Sequence, residues 1–177
     1  MKKKGHLFIM SVVVICLATS CKTAAQKSTG MVQDPAFDKA IYTLLDFDVK
    51  AISVSEAQKM KDILFLDARE KEEYNVSHIP GAVHIGYTHW AKDSIQSISK
   101  EKKLVVYCSV GYRSEKIAKK LQDLGYTQVF NLYGSIFEWA NQGLPLVTHD
   151  GTASNKVHTY NKTWSKWVSN KEIQKVW

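Results

Sequence analysis

The apolar run Leu104-Val105-Val106-Tyr107 delivers Cys108 into the tight loop Ser109-Val110-Gly111-Tyr112-Arg113, which opens directly into a helical pattern from Ser114 to Leu124. A continuous apolar run of this length marks a strand covered on both faces, and such strands belong to parallel sheets. A thiol at the carboxyl end of that strand faces a helix N-terminus, where backbone N–H groups and the positive end of the helix dipole gather anions. That setting lowers a cysteine pKa from its free value of about 8.5 and makes the nucleophilic thiolate available near neutrality. The chain therefore announces thiolate chemistry.

The same alternation of strand and helix recurs from Ala51 to Val147. Ser53 and Glu56 form a capping-box pair that opens a helix to about Lys61. Ile63-Leu64-Phe65-Leu66 is a second continuous apolar run, Glu70 to Val76 a short helix, and Ala82 to Ile85 a strand. Trp90 to Ile98 reads as helical, Gln128 to Leu132 as a strand, and Ile136 to Gln142 as the last helix, closed by Gly143 and Pro145. A further helical pattern covers Ala36 to Leu45. Strands separated by helices imply an α/β fold, a mostly parallel central sheet with helices on both faces. Asp67 and Cys108 both fall at carboxyl ends of strands, where the crevice of an open α/β sheet lies.

Outside this domain the chain changes character. Lys2, Lys3 and Lys4 precede an apolar stretch from Leu7 to Ala18. That stretch is well short of the roughly 20 residues of a spanning helix, so residues 1–20 read as an export signal. It ends Leu17-Ala18-Thr19-Ser20-Cys21, which resembles the lipobox of bacterial lipoproteins, with Ala18 where that pattern usually has leucine. The resemblance implies cleavage before Cys21, acylation of Cys21 and a lipid anchor in the cell envelope or periplasm. Lys22 supplies no aspartate-type retention signal, which favours the outer membrane over the inner. Cleavage nearby, for example after Ala25, would instead give a soluble exported protein. Residues 22–33 read as a flexible tether within an N-terminal segment spanning 21–50. Either route leaves Cys108 as the sole thiol of the mature chain, with no disulfide available to it.

The formal charge of +7 is unevenly placed. The leader lysines supply three of these charges, and residues 151–177, five lysines against Glu172, supply four. The stretch between them is neutral, so no positive field argues for nucleic acid. Residues 148–177 form a basic extension carrying Trp164, Trp167 and Trp177, with Ser169 and Glu172 placed to cap a terminal helix. Such a segment reads as a strap whose tryptophans pack on the domain while its lysines face water. Contact with anionic lipid is the alternative.

Four motifs in order then carry a resemblance: Leu66-Asp67-Ala68-Arg69-Glu70-Lys71-Glu72-Glu73-Tyr74, His78-Ile79-Pro80-Gly81-Ala82, Cys108 to Ser114, and Gly134 with Trp139 and Gly143-Leu144-Pro145-Leu146-Val147. Over about residues 52–147 the chain resembles the single-domain rhodaneses. Ser77 and Ser135 stand where that family usually has glycine. The resemblance implies a sulfurtransferase in which Cys108 takes the outer sulfur of thiosulfate or a related donor and passes it to a thiophilic acceptor, a thiol or a protein. Ser109, Val110, Gly111, Tyr112, Arg113 and Ser114 would form the substrate cradle, Gly111 allowing a positive φ and Arg113 offering a forked donor to sulfonate oxygens. Only Arg69 and Arg113 among 24 basic residues are arginine, and each lies inside a motif. Arg69 is expected to tie its loop to a carboxylate such as Glu73, and Asp67 to orient the active loop or terminate its strand. His78 is read as structural. No cofactor and no metal are implied, since no second cysteine or spaced histidine pair accompanies Cys108.

The rival enzymatic reading is a phosphatase or arsenate reductase on the same fold. Those enzymes place five residues between cysteine and arginine, whereas four intervene here. A non-enzymatic persulfide carrier or thiol-dependent binding module is the other alternative, and oxidation sensing suits an exposed thiol of low pKa.

Overall fold

A computed structural model describes residues 28–177; the signal segment, Cys21 and the first part of the tether lie outside the described residues. In chain order the elements are α1 (Pro35–Tyr42), β1 (Ala51–Ile52), α2 (Val54–Lys59), β2 (Ile63–Asp67), α3 (Lys71–Val76), β3 (Val83–His84), β4 (Lys103–Tyr107), α4 (Tyr112–Asp123), β5 (Val129–Leu132), α5 (Ser135–Asn141), β6 (Lys156–His158) and β7 (Gln174–Val176). The first five strands make one parallel sheet in the order β1-β5-β4-β2-β3.

The apolar runs are explained by a core on each face of this sheet. Successive side chains of a strand point to opposite faces, so β4 sends Val105 and Tyr107 into one core and Leu104 and Val106 into the other. Strand β2 divides likewise, Phe65 toward the first core and Leu64 and Leu66 toward the second. Helices α1, α2 and α5 cover the first face through Phe37, Ala57 and Phe137, and α4 covers the second through Ile117, Ala118 and Leu121. The expected architecture, helices on both faces of a parallel sheet, is the one observed.

Three local expectations are corrected. Trp90 to Ile98 is not a helix; only a 3₁₀ turn forms at Lys92–Ile95, in a stretch where Asp93, Ser94 and Ser97 are poor helix formers and the Asp93 carboxylate accepts from the Gln96 side chain. Ser169 and Glu172 do not cap a terminal helix. The Ser169 amide instead donates to the Asn141 side chain and the Glu172 amide to Asn170, and the chain continues into β7, which pairs in parallel with β6. The reading of 22–33 as a flexible tether does not hold for residues 28–30. Residues 28–30 wrap the Asp38 carboxylate, which accepts from Thr29 N (2.9 Å) and Gly30 N (2.7 Å) and from the hydroxyls of Ser28 and Thr29 (2.5 and 2.8 Å).

The C-terminal extension lies across the domain as a strap. Trp167 stacks on Phe37 of α1 at 5.3 Å, and its carbonyl accepts from Asn141. All five lysines of the strap are exposed, and so is Trp177, which departs from the other two tryptophans. Among the described residues no helix is long and apolar enough to cross a membrane.

Candidate active site

The loop from Cys108 to Ser114 is shaped from outside. Carbonyls of Cys108, Ser109 and Val110 accept from the amides of Ile136, Phe137 and Gly134, at and around the N-terminus of α5. With its carbonyls held there, the loop curls through Gly111, whose φ of +127° suits glycine. The Gly111 amide then donates to Cys108 Sγ at 3.2 Å.

Ser114 contributes differently. Its hydroxyl has one proton and three acceptors in reach: Asn131 Oδ1 at 2.7 Å, Gly111 O at 3.1 Å and Cys108 Sγ at 3.5 Å. The nearest, Asn131, holds it while the sulfur is a thiol, and a thiolate competes for it more strongly because bonds to charged acceptors are stronger. Burial raises the Cys108 pKa, but the Arg113 charge, the Ser114 hydroxyl and amide and the Gly111 amide together pull it below its ordinary value.

Cys108 is 1% exposed and lies in the lining of a pocket. The loop supplies the floor through Cys108, Ser109, Val110, Tyr112 and Arg113, while Glu70, Tyr87 and Thr88 form one side. The strap supplies the remaining wall through Tyr160 and Trp164, a contribution that the sequence did not reveal.

Arg69 ties its loop to a carboxylate as expected, but that carboxylate is Asp67. Arg69 is fully buried and grips Asp67, Nε to Oδ1 at 3.0 Å and Nη2 to Oδ2 at 2.6 Å, while Nη2 also donates to Ser77 O at 2.7 Å. It does not bond Glu73. Asp67 therefore orients its own β2–α3 turn, also accepting from the Arg69 amide at 2.9 Å.

Glu73 belongs to Arg113. The guanidinium donates to both carboxylate oxygens, at 2.6 and 2.8 Å, and to Ser109 Oγ at 3.0 Å. Three of the five guanidinium N–H groups are thus engaged by Glu73 and Ser109, and Arg113 also lines the pocket that holds Cys108. The sequence signal for this pair was present: a cation at a helix N-terminus is unfavourable without an acidic partner, and the acidic α3 supplies one.

The two serines that replace family glycines each make a specific contact. Ser77 donates to the carbonyl of Lys156 and ties the domain to β6 of the strap. Ser135, at φ +49°, donates to Leu132 O at 2.8 Å and accepts from the Cys108 amide at 3.1 Å. Its hydroxyl therefore fixes the backbone at Cys108, beyond any effect on turn geometry. His78 is structural as expected: its backbone pairs with Val147 and its ring stacks on Tyr74 at 3.8 Å.

Residues 51–142 match the model of the rhodanese-like domain. The chain belongs to that family. A relative named sulfurtransferase from Allochromatium vinosum is 35% identical over 91 residues, covering 51% of this chain and 84% of the relative. The chain is also similar to the tRNA uridine(34) hydroxylase of Salmonella newport, 31% identical over 124 residues and covering 65% of this chain but only 35% of that enzyme. The chain thus spans about a third of the hydroxylase's length. The crystal structure of thiosulfate sulfurtransferase from Pseudomonas aeruginosa aligns with a TM-score of 0.51 at 19% identity, over 68% of this chain and 23% of that one, a likeness of fold alone. This rhodanese-like family includes enzymes.

Proposed function

We propose that this protein is a sulfurtransferase that carries sulfane sulfur as a persulfide on Cys108. The observation that carries the reading is the Gly111 amide aimed at Cys108 Sγ at 3.2 Å inside a loop that draws the thiol below its ordinary pKa. The thiolate attacks the outer sulfur of thiosulfate, a new S–S bond forms, and the old S–S bond breaks with its electron pair leaving on sulfite. The persulfide anion so formed needs preorganised donors and nearby positive charge, which the loop amides and Arg113 supply. An acceptor thiolate then attacks the outer sulfur and returns Cys108 to its starting state. Four residues between Cys108 and Arg113 give a tighter loop than phosphate chemistry uses in this fold, which favours sulfur over phosphate or arsenate.

Mass spectrometry of the protein after thiosulfate treatment tests this. One added sulfur atom, mapped to Cys108 and absent from Cys108→Ser, is expected; an unmodified wild type overturns it. We propose separately that the protein is exported and lipid-anchored, a reading supported by the basic and apolar leader that runs into Cys21. Radiolabelled palmitate incorporated by growing cells into the wild type, but not into Cys21→Ala, checks the anchor.

A further inference from the structure

We infer that the strap turns the cradle around Cys108 into a chamber for organic sulfur compounds, so that the sulfur acceptor is a thiol with an apolar, ring-sized body. The inference rests on the sulfur-transfer reading and deepens it by naming the class of acceptor.

Three observations converge on that class. The pocket is a half-open cleft of about 480 Å³, within the range of roughly 300–1,000 Å³ typical of small-molecule sites and spacious for a bare oxyanion. Its lining is rich in aromatic rings: Tyr87 and Tyr112 from the domain, Tyr160 and Trp164 from the strap. Tyr112 and Tyr160 are 44% and 57% exposed, large rings left uncovered at the mouth. The cation within is already partly engaged, because three N–H groups of Arg113 lie on Glu73 and Ser109. A compact dianion gains little from such walls, whereas an apolar body gains area and offset or edge-on ring contacts.

The strap is built to hold its rings there. Ser77 anchors β6, the Tyr160 amide donates to His158 Nδ1 at 3.2 Å, and the Tyr160 ring lies 5.5 Å from the Arg113 guanidinium carbon. Trp164 opens a 3₁₀ turn whose last residue, Trp167, is clamped on Phe37. In the step itself, the acceptor thiol loses its proton to solvent and its sulfur bonds the outer persulfide sulfur. The Cys108 S–S bond then breaks with the electron pair returning to Cys108, so the products are the thiolate and an organic persulfide.

The test uses the full chain and two reagents that share a reactive group, iodoacetamide and N-benzyl-iodoacetamide, with alkylation of Cys108 read by peptide mass mapping. This needs no sulfur transfer. The benzyl-to-plain rate ratio is expected to fall about threefold in Tyr160→Ala, whose exposed ring leaves little to unfold, and about tenfold with Trp164→Ala added. Thermal melts confirm that each variant is folded. In a second arm, persulfide-loaded protein is mixed with benzyl mercaptan or 2-mercaptoethanol, and the preference for the former should fall in the same order. Ratios unchanged by both substitutions overturn the aromatic chamber even if the persulfide forms. Ratios that fall while thiosulfate leaves Cys108 unmodified overturn the sulfur-transfer reading instead, and with it the acceptor role.

Discussion

Arg113 and Glu73 lock the active loop to α3: two guanidinium nitrogens meet the two carboxylate oxygens at 2.6 and 2.8 Å, with the arginine side chain only 14% exposed. Replacing Glu73 by Gln leaves a nearly buried cation without its counter-charge, and chemical denaturation should show a loss of about 2–3 kcal/mol.

That pair also sets an acid limit. Burial pushes the Glu73 carboxyl up, but hydrogen bonds from Arg113 and the charges of Arg113 and Arg69 hold it below the usual carboxylate range. A carboxyl lowered in the folded state stabilises fully above its unfolded pKa and loses that contribution as pH falls through the folded value. Melting temperatures of wild type and Glu73→Gln, measured from pH 7 downward, should therefore converge in acid; parallel curves would show that Glu73 does not titrate this way.

Thiolate formation at Cys108 should precede that of a free cysteine. The rate of alkylation by iodoacetamide against pH is expected to inflect below about 8.5. In Arg113→Gln the inflection moves up, because the lowering charge is gone while burial still opposes ionisation. Activity then falls on acidification through the lowered pKa, since only the thiolate attacks.

Ser135 pairs a left-handed backbone with two hydrogen bonds. Ser135→Ala keeps the strain and loses both bonds, so a destabilisation of about 2 kcal/mol is expected. Ser135→Gly loses the bonds but relieves the backbone, and should cost only about 1 kcal/mol. Equal costs by denaturation would mean that φ at this position carries no strain.

Ser77→Gly, which restores the glycine usual in the family, should detach the strap locally. Loss of one hydrogen bond, about 0.5–1.5 kcal/mol, favours opening of β6. Amide exchange at residues 156–158 is expected to quicken while β4 stays protected; no change there would place the anchor elsewhere.

The core of the domain was legible because its signals are local. The apolar run of β4, the glycine at 111 and the helix after it lie within a single stretch, and β2 repeats the pattern. The Arg113–Glu73 pair joins residues 40 apart, and the choice between Glu73 and Asp67 as partner of Arg69 depended on how the β2–α3 turn folds back. The strap was legible in purpose but not in form. Lys-Val-His and Gln-Lys-Val carry no strand signature; they pair because Asn141, Asn170 and Ser77 hold their flanks. A short polar strand of this kind is a product of its surroundings.

Because amides around the start of α5 hold the carbonyls of Cys108, Ser109 and Val110, the reactivity of the thiol does not reside in its own heptad. Transplanting Cys108 to Ser114 onto another strand–helix junction would carry the letters but leave behind the brace that bends them. An engineer borrowing this nucleophile would have to move the Gly134–Phe137 turn along with it.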